Sequence, residues 1–128
     1  MADWYYATFG DLLTEVERTM IGIPAQREHI APLFWEMVDH HFAWDMLDAN
    51  DRKLGKVRNN ASGKKFRPLL VLLVAKALSG DYISALPAAA AIELVHNFTL
   101  VHDDIMDKSY ERRHRATLWA KWGIGQAV

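Results

Sequence analysis

Apolar residues recur at helical spacing through most of the chain. Phe9, Leu12, Leu13, Val16 and Met20 share one face, with acids and Arg18 opposite, until Gly22 and Pro24 interrupt the pattern. A second helix is predicted from about Pro32, turning Leu33, Phe34, Met37, Val38, His41, Phe42 and Leu47 inward. Its aromatic neighbours and the pair His40, His41 could mark a site, but aromatic side chains at this spacing more often fill a core. Residues 48–62 (DANDRKLGKVRNNAS) are dense in turn formers and charge and predict an exposed loop. The apolar run that follows predicts a helix over 68–78, buried on most sides and closed by Gly80. Pro87 then opens the longest helix, where alanines 88 to 91 let a neighbouring helix approach closely. A Thr117 cap starts another. No stretch reads as a strand of any length and no repeat is visible, so the fold expected is all-α.

The chemistry concentrates in residues 88–113, AAAAIELVHNFTLVHDDIMDKSYERR. Glu93, His96, Thr99 or Leu100, Asp103 and Asp107 recur at three- and four-residue steps and form a polar stripe on an apolar helix. Asp103 and Asp107 stack one turn apart, with Asp104 about 100° round the same rim. Acids crowded so closely repel one another unless a cation lies among them. Hard oxygen ligands suit Mg²⁺, which binds through one or two carboxylates, keeps waters and is completed by substrate phosphates. A helix ending near 108–110 would place the acids at its negative pole, where a cation is favoured. Taken alone, the same pattern also describes a solvated helix end.

The second informative stretch is GKKFRP, residues 63–68. Pro68 suits a first helical position, which places Lys64, Lys65 and Arg67 around a helix N-terminus. Cations oppose the local dipole there, and an anion bound between them relieves the conflict. A basic loop packed on an acidic surface fits equally well. Arg112, Arg113 and Arg115 form a further basic cluster, suited by bidentate geometry to phosphate oxygens.

Composition narrows the classes. With 128 residues, 51% of them hydrophobic, the chain is the size of one globular domain. Cysteine is absent, which removes disulfides and thiolate metal sites and leans the expected location to the cytoplasm. A net charge of -1 argues against nucleic acid as partner. The N-terminus lacks a secretory pattern, and the purest apolar run, residues 69–75, is far shorter than the ~20 residues of a membrane span.

Together the two blocks resemble the trans-isoprenyl diphosphate synthases, or polyprenyl synthetases. SGKKFRP is similar to the family's GGKRxRP, and ELVHNFTLVHDDIMDKSYERR to its helix ending in the first aspartate-rich motif, DDxxD, followed by paired arginines. The resemblance is strongest over 63–113 and implies the N-terminal helices of an isoprenoid-synthase-type bundle. Residues 1–128 would then be the N-terminal portion of a polyprenyl synthetase domain, without its second aspartate-rich motif.

By resemblance, Lys64, Arg67, His96 and Arg113 hold the diphosphate of isopentenyl diphosphate. Asp103 and Asp107 bind Mg²⁺ on the allylic diphosphate, with Asp104 in support and Arg112 on the same group. The implied reaction ionises the allylic C–O bond, joins the isopentenyl double bond to the cation and releases a proton. The product is expected to be short-chain, because Phe98 and Thr99, about a turn before Asp103, would meet the growing tail; Phe98 could equally be a core residue. After the arginine pair the family has Gly, Pro-Thr and His where this chain has His114, Ala116 with Thr117, and Trp119. Little turnover is expected of this chain alone, and its uncovered apolar faces imply a homodimer or other self-association. Rival readings are a non-catalytic diphosphate-binding subunit, a class I terpene cyclase, which would not need the GKKFRP block, and a di-iron bundle built on Glu93-x-x-His96 and Glu111-x-x-His114.

Overall fold

Helical periodicity translates into a bundle whose members pack on one central helix. The computed structural model describes residues 2–23, 29–56 and 63–128. In chain order it contains α1 (Ala2–Ile21), α2 (Pro32–His41), a 3₁₀ turn (Trp44–Met46), α3 (Ala49–Leu54), α4 (Phe66–Ser79) and a second 3₁₀ turn (Ile83–Ala85). Then follow α5 (Leu86–Met106), a two-stranded hairpin of β1 (Glu111–Arg112) and β2 (Arg115–Ala116), α6 (Leu118–Trp122) and α7 (Ile124–Ala127). The fold is all-α apart from that hairpin.

The main core joins Val16, Met20 and Ile21 of α1 to Phe42, Trp44, Leu72 of α4, and Ala89 and Ala90 of α5. Trp44 is fully buried and stacks on Phe42 with ring centroids 4.6 Å apart. Truncating such a residue to alanine costs about 3–5 kcal/mol. The two buried alanines provide the close approach to α5 that the sequence suggested. A smaller cluster joins Met37, Val101, Leu118 and Ala127 and seats α6 and α7 on α2 and α5.

Several elements differ from expectation. Residues 49–54, expected in a loop, form α3, because the Asp48 carboxylate caps it by accepting the Asp51 N–H at 2.8 Å. Gly55 closes α3 at φ 68°, and a Cβ there would stand 2.7 Å from the Thr14 carbonyl oxygen. Only glycine lets this turn lie on the backbone of α1. The rest of that expected loop, 57–62, lies outside the described residues, as does Pro24 after α1.

Helix α4 starts at Phe66, so Pro68 sits one position short of a full turn inside rather than at its first residue. Lys65 is its N-terminal cap, in the left-handed region at φ 52°. Nor is α4 buried on most sides: Pro68, Leu69 and Leu72 are, whereas Leu70, Val74 and Leu78 are exposed. Leu33 and Phe34 of α2 are also exposed. Both results have one cause: apolar periodicity identifies a helix but not how many neighbours cover it.

The hairpin was not expected either. Glu111 pairs with Ala116 and Arg112 with Arg115, leaving Arg113 and His114 as a two-residue turn with φ of 52° and 61°. Positive φ at both turn positions is the type I′ requirement, usually met by Asn and Gly. Arg113-His114 carries no such signature, so the turn is invisible to composition. Contrary to the expectation that no stretch is long and apolar enough for a membrane span, 83–106 would suffice by length and composition. Its polar Glu93, Asn97 and Asp104 are buried against neighbouring elements, although only 22% of the apolar stretch is buried.

Candidate diphosphate site

Helix α5 carries two polar stripes, offset from each other, where the sequence suggested one. Glu93, Asn97, Val101 and Asp104 are buried, while His96, Asp103 and Asp107 lie on the more open side. Glu93 therefore belongs to the interior. Asn97 was overlooked in the sequence, although a polar pair four residues apart within an apolar helix was the available signal.

The buried stripe is a hydrogen-bonded chain. Asn97 Nδ2 donates to the Glu93 carboxylate at 2.8 Å and to its backbone carbonyl at 2.9 Å. Asn97 Oδ1 in turn accepts from His41 Nε2 at 3.1 Å, so this nitrogen bears the proton. Burial pushes the His41 pKa down to about 4, against the Asn97 bond and with help from Arg113. Burial likewise raises the Glu93 carboxyl above its ordinary value, opposed by Asn97, Lys65 and Arg113. His40 is a core residue too: its Nε2 donates to the Ala116 carbonyl at 2.9 Å, and Arg115 donates to Nδ1 at 2.8 Å. Arg115 also reaches the Asp45 carboxylate at 2.6 Å, so the hairpin is fastened to the chain around α2.

The open stripe meets the basic groups. Arg67, in the first turn of α4, donates to His96 Nε2 at 3.2 Å. Burial and the charges of Arg67, Arg113 and Arg112 lower the His96 pKa, with Asp103 opposing. An uncharged imidazole thus stands among guanidinium groups. Arg113 packs on Gly63, where a Cβ would lie 2.7 Å from its terminal nitrogen, and this brings the hairpin turn to the GKKFRP block. Lys64 is exposed beside it. Lys65, by contrast, is buried, with its ammonium 2.6 Å from Glu17. For this lysine the packing alternative holds, and the acidic surface is supplied by α1.

The three acids also divide. Asp104 is buried and takes three hydrogen bonds from Arg112, at 2.8 to 3.0 Å. That contact raises the Arg112 pKa. Asp103 is half-buried and Asp107 exposed, at the C-terminal end of α5, which stops at Met106 with Asp107 as cap. No group of three or more His, Cys, Asp or Glu side chains gathers around a cation position among the described residues. Two outward carboxylates at a helix C-terminus fit Mg²⁺, which needs few protein ligands when phosphates and water complete its shell. The di-iron alternative fails on geometry: Glu111 and His114 are exposed on the hairpin, while Glu93 is buried against Asn97.

An apolar cavity of about 410 Å³ opens between α1, α2, α5 and the C-terminal residues. Phe34, His41, Leu94, Phe98 and Val101 are among its walls. Phe98 thus reaches the cavity, edge-on to His102, yet is 58% exposed. Thr99 is exposed, bonds the His96 carbonyl at 2.7 Å and is not part of the wall.

The chain is 44% identical over 101 residues to a (2E,6E)-farnesyl diphosphate synthase of Mycobacterium tuberculosis, covering 79% of this chain and 26% of that protein. To a geranylgeranyl diphosphate synthase of the same organism it is 40% identical over 128 residues, covering 95% and 34%. To a geranylgeranyl pyrophosphate synthase of Geoglobus acetivorans it is 54% identical over 68 residues, covering 53% and 21%. The chain therefore spans about a quarter to a third of the length of the first two relatives. A family model described as polyprenyl synthetase matches residues 52–128, which include α4, α5 and the arginine hairpin, and the chain belongs to that family.

Proposed function

We propose that this chain forms the part of a short-chain isoprenyl diphosphate synthase that receives both diphosphates. One observation carries the reading: Arg67 has an uncharged imidazole, His96, as its side-chain partner, with Arg113 and Arg112 close enough to depress that imidazole's pKa. Guanidinium groups gathered around a neutral imidazole offer convergent N–H donors that a bound diphosphate can accept. Lys64, Arg67, His96 and Arg113 then hold the diphosphate of isopentenyl diphosphate. Arg112, oriented by Asp104, holds the allylic diphosphate, and Asp103 with Asp107 would hold Mg²⁺. When bound, Mg²⁺ supplies charge neutralisation for the departing diphosphate. The allylic C–O bond breaks with both electrons leaving on oxygen, the isopentenyl double bond attacks the resulting carbon, and the new cation loses a C–H proton to an oxygen of the released diphosphate, the C–H electrons forming the product's double bond. The arginines stabilise the charge that develops on the leaving group. The apolar cavity takes the hydrocarbon tail and keeps water from the cation.

Exposed Phe66, Leu70, Val74 and Leu78 of α4 with Ile92 and Val95 of α5 form apolar surface that self-association would cover.

Titration calorimetry of the 128-residue chain with isopentenyl diphosphate, and with geranyl diphosphate with and without Mg²⁺, tests the reading. Metal-free binding of the first ligand that Arg67→Ala abolishes, and Mg²⁺-dependent binding of the second, are expected. Binding that ignores both Mg²⁺ and Arg67 would sink the assignment.

A further inference from the structure

Helix α1 lies outside the stretch matched by the family model, yet it touches the basic block at two points. The Tyr5 hydroxyl donates to the Lys64 backbone carbonyl at 2.8 Å. One residue on, the Lys65 ammonium is 2.6 Å from one oxygen of Glu17, and the other Glu17 oxygen accepts the Trp44 indole N–H. Glu17, Lys65 and Trp44 are all buried. Lys65 caps α4 in the left-handed region, at φ 52°. Lys65 enters the core and Lys64 faces solvent.

We infer that Tyr5 and Glu17 of α1 are positioning residues for the metal-free diphosphate subsite, setting where Lys64 and Arg67 stand through their grip on the turn between them and α1. This rests on the proposed function. The physical argument is that the turn is specified by contacts and not by its own propensity. A non-glycine residue in the left-handed region is strained and persists only when its surroundings over-determine it. Here the surroundings are the buried ion pair and the tyrosine bond. Releasing the ammonium from Glu17 leaves a charge in the core that is better solvated outside, and the turn can follow it outward. Glu17 also cancels the charge of Lys65, so the anion-binding charge is left to Lys64, Arg67 and the hairpin arginines.

The test uses Tyr5→Phe, which deletes one hydroxyl, and the double variant Glu17→Gln with Lys65→Met, which neutralises the pair while keeping an acceptor for Trp44. Inorganic pyrophosphate is titrated first in EDTA and then with Mg²⁺, beside thermal melts. Tyr5→Phe is expected to weaken metal-free pyrophosphate binding by about five-fold, the worth of one hydrogen bond, and the double variant by about ten-fold or more. Melting temperatures should stay within about 4 °C, and the Mg²⁺-dependent increment, which belongs to Asp103 and Asp107, should persist. A purely structural role would lower the melting temperature and leave affinity of the folded fraction unchanged, and that result overturns the inference. Should the double variant fail to fold, Tyr5→Phe decides. Wild-type chain that binds no pyrophosphate, or binds it equally after Arg67→Ala, overturns the proposed function and this inference with it. Wild-type binding that Arg67→Ala removes but both α1 variants retain overturns the inference alone.

Discussion

Arg112 reaches back eight residues to Asp104 and donates to both carboxylate oxygens, its Nε at 3.0 Å from each and a terminal nitrogen at 2.8 Å from Oδ1. The pair closes the end of α5 onto the hairpin and separates one acid of the aspartate cluster from the other two. Asp104 anchors and orients an arginine, while Asp103 and Asp107, outside that contact, are the two acids to which the proposed function gives the cation.

That division makes the acids distinguishable by mutation. Asp104→Asn leaves a buried amide against Arg112 and is expected to destabilise the fold by about 1.5–3 kcal/mol, the range for a hydrogen bond to a charged group. Asp103→Ala or Asp107→Ala removes negative charge from a helix C-terminus and should leave the melt unchanged or slightly higher. Both should nevertheless lose Mg²⁺-dependent diphosphate binding. Melts and Mg²⁺ titrations of the variants check this, and retained Mg²⁺ dependence would remove Asp103 and Asp107 from the metal assignment.

His41 predicts a pH dependence. Its folded pKa, about 4, is below the ordinary 6.5, so the unfolded chain takes up a proton across that window and the folded chain does not. Stability is fully present above pH 6.5, falls as pH drops towards 4 and stays lower beneath it. The shift corresponds to about 3 kcal/mol. Urea unfolding of wild type and His41→Gln at several pH values isolates it from the carboxylates. The wild-type advantage should shrink as pH falls, and a difference that does not vary with pH would contradict a buried neutral His41.

The turn at Arg113-His114 places a β-carbon where the backbone wants none. His114 has φ 61° and a fully exposed side chain, so replacing it removes strain without removing packing. His114→Gly is expected to raise the melting temperature by about 4 °C. His114→Ala keeps the β-carbon and should not. A glycine variant no more stable than the alanine one would mean that the turn is unstrained.

The helices and the two chemical blocks were legible because both are local. The spacing of Asp103 and Asp107, the cations around Arg67 and the glycine closing α4 each lie within a few residues. What escaped depends on partners far along the chain. Lys65 looks like its neighbour Lys64 until Glu17, on another helix, is seen to take its charge. Asn97 gains meaning only when His41, 56 positions earlier, is found against it. The hairpin has no turn signature because contacts from Arg115 to Asp45 and His40 hold it, and these substitute for glycine. The exposed face of α4 escaped for a related reason, since hydrophobicity records a tendency to be covered and not what covers it.

Under the proposed function, Phe98 is expected to limit tail length. It lines the apolar cavity one and a half turns before Asp103, but at 58% exposure it contributes less packing than a core phenylalanine. Thr99, the other candidate, faces away and bonds its own helix. Phe98→Ala should therefore leave stability nearly intact, with a loss of about 1 kcal/mol or less, well under the 3–5 kcal/mol of a buried ring. It should also widen the cavity for longer tails. Calorimetry of wild type and variant with geranyl, farnesyl and geranylgeranyl diphosphates in Mg²⁺ reads the effect directly, since headgroup contacts are common to all three. Affinity should rise for the longest tail relative to the shortest on removing the ring. A large drop in melting temperature with no change in that ratio would make Phe98 a core residue and leave tail length to other walls of the cavity, among which is Phe34 of α2.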